Sequence, residues 1–133
     1  NASLIMITEI TSGVEVSINA NYLGEKSQPE YLQFVFTYHV FIKNNNNFPV
    51  QLLRRKWVIQ NGVGEVEIVE GDGVIGRQPI LKPGENHEYI SGAVLATPLG
   101  FMHGLYYFQH KETGAVFEVK IPQFKLEATE ILN

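Results

Sequence analysis

The chain has no cysteine. Disulfides, thiolate zinc sites, iron–sulfur clusters and a cysteine nucleophile are therefore excluded, and a reducing compartment suits it. It also lacks a basic excess, with 10 Lys and Arg against 14 Asp and Glu and a formal charge of -4. Nucleic-acid binders usually carry a positive stripe, so no such partner is expected. No apolar run approaches the ~20 residues of a membrane-spanning helix, and no membrane partner is expected either. Leu4-Ile5-Met6-Ile7 is too short for a signal core and has no basic flank or cleavage site; the expected location is cytoplasmic. An apolar stripe of 3.6-residue period is also missing, which leaves little room for amphipathic helices.

What is present alternates with period two. Val14, Val16, Ile18, Ala20 and Tyr22 interleave with polar residues, as in a half-buried strand. Tyr31 to Ile42 is almost wholly apolar, with Leu32, Phe34, Phe36, Tyr38, Val40 and Ile42 on one face. That length predicts a long central strand or a bulged one. Asn44 to Asn47 reverses the chain, since asparagine tolerates left-handed backbone and bonds its own main chain. In Val50 to Gln60 the expected shared face is Leu53, Arg55, Trp57 and Ile59, and in Glu65 to Glu70 Val66 and Ile68 are expected inward. Asn61-Gly62-Val63-Gly64, Lys82-Pro83-Gly84-Glu85, Thr97-Pro98-Leu99-Gly100 and Lys111-Glu112-Thr113-Gly114 are turns. Further alternating strands follow, up to a stop at Pro122 and a short edge piece at Phe124 and Leu126. Seven to eight short strands in one chain mean an all-β fold, an antiparallel β-sandwich in preference to a barrel. The expected organisation is an N-terminal extension over 1–7 with a tag remnant at 1–2, one domain over 8–127, and a tail over 128–133.

Gly71-Asp72-Gly73-Val74-Ile75-Gly76 carries the G-x-G-x-x-G spacing of a dinucleotide fingerprint. The fingerprint needs a helix behind its third glycine to hold a pyrophosphate. Pro79 and Pro83 forbid that helix, since an interior proline costs about 3 kcal/mol and pushes its predecessor out of the helical region. The stretch is read instead as a bend joining two layers of sheet. Its functional alternative is a helix-free nest of N–H groups that cups an anion, with Arg77 beside Gly71, Gly73 and Gly76. Asp72 would repel such an anion.

Other chemistry is sparse. His103 and His110 stand seven apart and face opposite ways unless a bulge intervenes; His39 and His87 stand alone. No metal motif is formed, and no metal or cofactor is expected. Glu65 and Glu67 share a face at a spacing that could serve paired carboxylates, though a solvated acidic face reads more simply. Ser91 lacks the nucleophile-elbow glycines. Arg54-Arg55-Lys56 divides between two faces, and Arg55, on the side of Trp57, is expected to stack on an aromatic or pair with a carboxylate. Phe108, Tyr106 and Tyr107 read as core. The turn carrying Pro98, Leu99 and Phe101 offers apolar groups where a monomer gains little from them, and the sheet edge can accept an added strand.

These motifs in order resemble the ApaG domain family. The likeness is carried by Gly71-x-Gly73-Val74-Ile75-Gly76-x-Gln78-Pro79-x-Leu81-x-Pro83-Gly84-Glu85, by Tyr89-x-Ser91-Gly92, by Leu95-x-Thr97-Pro98-x-Gly100-x-Met102-x-Gly104-x-Tyr106, and by Phe117-x-Val119-x-Ile121-Pro122-x-Phe124-x-Leu126. Ile10-Thr11-Ser12-Gly13, Pro49-Val50-Gln51-Leu52 and Arg55-x-Trp57 add to it, so that it spans Thr8 to Leu126. Ala93 stands where many members carry cysteine. The resemblance implies an immunoglobulin- or fibronectin-type-III-like sandwich, a genetic link to cobalt and magnesium tolerance, and no established catalytic residues. The expectation is therefore a non-enzymatic module whose partner is another protein, with a homodimer as another use of the same surfaces. The alternative is a phosphate- or nucleotide-binding protein, for example for a dinucleoside polyphosphate, using the Gly71–Gly76 loop.

Overall fold

Alternation becomes strand pairing from Ile7 onward in the computed structural model, which describes residues 6–129. The tag remnant read at Asn1-Ala2, the residues Leu4-Ile5 and the end of the tail lie outside the described residues. Among the described residues nine strands form: β1 Ile7–Thr11, β2 Val14–Tyr22, β3 Phe34–Asn44, β4 Val50–Asn61, β5 Val66–Asp72, β6 Ile80–Leu81, β7 Asn86–Leu95, β8 Leu99–His110 and β9 Val116–Glu127. This exceeds the seven to eight expected, chiefly because the two-residue β6 is too short to register as a period.

All pairings are antiparallel, and they build two sheets, β1-β2-β3-β7 and β5-β4-β8-β9, with β6 pairing β4. Strands β2-β3-β7 against β5-β4-β8-β9 is the three-on-four arrangement of a fibronectin type III domain, with β1 added outside. The expected all-β sandwich is what folds. Its layers meet through aromatics: Tyr38 of β3 lies 5.2 Å from Trp57 of β4, and Phe124 of β9 is 5.9 Å from both. Phe34, Phe36, Tyr38, Val40 and Ile42 are all buried on one face of β3.

Six local expectations are corrected. The strand expected to stop at Pro122 runs on as β9 to Glu127, with Phe124 and Leu126 buried, because Pro122 falls at a break in the β8–β9 register where no ladder bond is asked of it. Tyr107, expected in the core beside Tyr106 and Phe108, alternates to the other face and is half-buried under Arg54. Leu32 is exposed, because a 3-10 turn over Pro29–Tyr31 ends on it with φ 55, and β3 starts only at Phe34; β3 then runs in uninterrupted register against both neighbours. Leu52, not Leu53, enters the core, because the β4–β8 register slips between Leu52 and Arg54. That bulge at Leu53 moves the inward face from even to odd positions, so Trp57 is buried as expected. Val66 and Ile68 are each 57% exposed. The pairing sets Val69 opposite Trp57 and Glu67 opposite Ile59, which puts the odd positions of β5 on the inward side. Finally, Gly71 to Gly76 does not join two layers. β5 before it and β6 after it both pair with β4, so the stretch is an excursion along one sheet edge. The crossing to the other sheet is made by the turn at 82–85, between β6 and β7.

Candidate functional site

The glycine stretch is shaped by two devices. Its tip, Val74 to Arg77, is a tight turn in which Val74 N donates to Arg77 O at 2.8 Å and Arg77 N to Val74 O at 3.0 Å. Ile75 and Gly76 both have positive φ, 48 and 71, the signature of a type I′ turn. Its base is stitched to the β4 bulge: Gly73 N and Gln78 Nε2 both donate to Leu53 O, at 2.8 and 2.9 Å. A side chain at Gly73, whose φ is 59, would collide with the carbonyl of Arg77. No helix follows.

The N–H groups of Gly73, Val74 and Arg77 thus have acceptors inside the chain. The loop offers its carbonyls instead, and they serve Arg55. Arg55 Nη1 donates to Asp72 O and Gly73 O, each at 2.9 Å. A Cβ on Gly71 would lie 2.9 Å from both Nη atoms, so the guanidinium occupies the space a side chain there would need. Gly71 and Gly73 are therefore arginine-holding residues. Arg55 was expected on an aromatic or a carboxylate. Among the described residues the ion pairs are His39–Glu88 at 3.4 Å and Arg54–Asp72 at 3.9 Å, and the cation–π contact is made by Arg54 over Tyr107. Backbone carbonyls hold Arg55 because the bulge turns it inward just where the loop folds over it.

Arg55 stands at one end of a cleft of about 300 Å³ between the sheets, where the edge strands β5 and β7 fail to close over the core. Trp57 and Met102 line it, with Glu67 and Val69 of β5 and Ser91 and Ala93 of β7. A shallower hollow of about 210 Å³ continues past Glu67 and Val94 toward Asn61 and Glu65. The side chains of β7 are small here, which is why space remains. Arg55 lines the cleft, and none of its guanidinium nitrogens is buried without a partner. Behind it lies a buried phenol cluster. Tyr89 of β7 and Tyr106 of β8 share a hydrogen bond across the sandwich. Burial pushes both phenols above the ordinary tyrosine value, while Arg55 works against the shift. Burial also raises Tyr38, opposed by the Ser91 hydroxyl and then by Arg55.

The other candidates scatter. Arg77 is exposed; after burial itself, its charge is the next cause that lowers the His87 pKa, against Glu88. Pro98, Leu99 and Phe101 are half-buried and do not project as an apolar knob. Pro98 O accepts from Ala128 N at 2.8 Å, and Thr97 Oγ1 accepts from Gly62 N at 2.8 Å, tying this turn to neighbouring elements. His39 stacks on Phe41 and His110 on Phe48, and His103 lies by a hollow on the outer face with Lys56 and Lys120. Among the described residues no three His, Asp or Glu side chains converge as metal ligands. None of the four histidines lines the cleft. Sequence reading missed Tyr38, Tyr89 and Ser91 as companions of Arg55. One signal could have found the arginine's setting: counting pairs back from the Asn61–Glu65 closure sets Arg55 opposite Gly71.

These features define a fibronectin-type-III-like β-sandwich with an open inter-sheet cleft. The sequence model of the ApaG domain matches residues 24–110. The chain is 45% identical over 123 residues to Protein ApaG of Rhodospirillum centenum, covering 92% of this chain and 94% of that one. It is 47% identical over 120 residues to Protein ApaG of Azotobacter vinelandii, covering 90% and 94%. The crystal structure of the putative ApaA protein from Bordetella pertussis matches with a TM-score of 0.82 at 42% identity, over 90% of this chain and 94% of that one. The chain belongs to the ApaG domain family.

Proposed function

We propose that this chain is a protein-binding module without chemistry of its own, and that it takes an extended segment of a partner along the open side of the sandwich. One observation carries the reading: β7, ten residues long, pairs only with β3 among the described residues. Its other edge is a row of backbone donors and acceptors beside the cleft, a ready template for an added strand. Ile90 and Val94 on β7 are 58% and 62% exposed, an apolar surface that such a strand's partner could cover. The module would work in a reducing cytoplasm, as a chain without cysteine can. Cobalt and magnesium tolerance would then be a consequence of what the partner does, with no metal held here. Affinity purification from the parent cell, with the chain and with its Ile90→Lys and Val94→Lys variants, tests this. A reproducible partner recovered by the parent chain and lost on the variants is the expected result. Repeated recovery of nothing specific, or of a partner indifferent to both variants, counts against it. A second copy of the chain on the same edge would show as a dimer in sedimentation.

A further inference from the structure

The cleft beside β7 is marked by charge. Arg55 sits at the Gly71 level of β5's inward face, and Glu67 projects from the same face four residues away. At strand rise, four residues span roughly 13 Å. Between them lie Val69 of β5 and Ala93 of β7. The two charges do not pair with each other: no Arg55–Glu67 ion pair forms among the described residues. Arg55 lines the cleft, and the loop carbonyls that hold it are both bonded to Nη1, so its other donors are not engaged by the loop. A planar fork with free donors matches a carboxylate.

We propose that the cleft recognises an extended peptide segment carrying an acidic side chain that seats on Arg55 and, four residues along, a basic side chain that meets Glu67. Side chains at i, i+2 and i+4 of a strand share one face, so the middle one packs on Val69 and Ala93 while the backbone adds to β7. The segment's own charges cancel, as those of Arg55 and Glu67 do. A polyphosphate is disfavoured on the same ground: Glu67 within the cleft, and a chain of net charge -4, both repel it. At the Arg55 end the Ser91 hydroxyl bonds to Tyr38, so one O–H of the pair, that of Tyr38, is left to donate to the second carboxylate oxygen.

This rests on the protein-binding reading, and its test is separable from it. The arginine Nε–H and backbone amide signals of the full chain are followed by NMR during titration. The probes are the blocked heptapeptides TDTVTKT and TKTVTDT, which cover both strand directions, the acidic TDTVTDT, the neutral TNTVTQT, and inorganic phosphate and pyrophosphate. One of the two charged peptides is expected to saturate the Arg55 Nε–H shift and the cleft amide shifts at least tenfold more tightly than the neutral one, and Arg55→Lys, read by the same amides, should abolish that difference. Glu67→Lys, at an exposed position that does not threaten folding, should shift the preference to TDTVTDT. Equal affinity for charged and neutral peptides, an Arg55→Lys effect no larger than that of a distant surface change, or tighter saturation by pyrophosphate would each overturn the proposal. If Arg55→Lys does not fold, the Glu67→Lys preference decides alone. A cellular partner lost on Ile90→Lys together with indifferent peptides would sink the charge pattern and leave the module standing.

Discussion

At the scale of single residues, glycine and arginine exchange the roles their spacing suggests. A G-x-G-x-x-G run invites a phosphate, yet Gly71 gives up a side chain to make room for a guanidinium, and Gly73 turns left-handed so that its carbonyl can accept from it. Two substitutions should act with opposite signs. Gly73→Ala puts a Cβ against the Arg77 carbonyl at positive φ, and is expected to destabilise by about 1–3 kcal/mol or more. Ile75 is a β-branched residue held at φ 48 at an exposed turn tip. Ile75→Asn relieves this and is expected to stabilise by about 1 kcal/mol. Urea unfolding followed by tryptophan fluorescence checks both, since Trp57 sits in the core.

Among the elements, the asparagine turn shows how one composition hides two jobs. Asn44 is not a turn tip but the buried last residue of β3. Its Nδ2 donates to Phe48 O at 2.8 Å and Leu81 O at 3.0 Å, and its Oδ1 accepts from Asn46 N at 3.0 Å. It thus fastens β3 to β6 and to the crossing into β4. Asn44→Ala removes three side-chain–backbone hydrogen bonds at a buried site and is expected to cost at least about 1–3 kcal/mol. Asn47→Ala, on an exposed side chain, is expected within about 0.5 kcal/mol of the parent. Thermal melts of the pair decide the matter. A similar element-level device is the Leu53 bulge, whose spare residue turns Arg55 inward and whose carbonyl anchors the glycine loop.

On the scale of the whole molecule, β9 packs against β1 and β2, with a hollow of about 450 Å³ left beside Tyr22 and Phe124, while β5 and β7 on the opposite side stand apart over the Arg55 cleft. The Tyr89–Tyr106 bond is the polar link between the layers nearest the open side. Its phenols make the fold sensitive to base. A free tyrosine ionises near pH 10, and burial raises both of these above that value. Their contribution to stability is therefore complete below about pH 10 and is lost as pH rises through the higher folded values, since the unfolded chain gives up its protons first. Denaturation at pH 8 to 12 should show stability falling above about pH 10. The fall should be smaller in the Tyr89→Phe/Tyr106→Phe double variant, which removes both groups and leaves neither unpartnered. Phenolate absorbance from these two residues should appear only with the loss of far-UV structure.

The amino-acid order alone determined most of the strands, the short hairpin turns and the two-layer class, because period-two alternation and turn chemistry act between near neighbours; β1, the two-residue β6 and the run of β9 through Pro122 lay beyond it. Val14 to Tyr22 and the Asn61–Gly64 hairpin are legible for that reason. Those near-neighbour rules could not say which face of β5 turns inward, what holds Arg55, or that a cleft exists. Each of these depends on a one-residue slip at Leu53 and on which strands end at a sheet edge, and both are settled only when distant segments pair. Strand periodicity reports that a side chain alternates; the tertiary register decides what it meets.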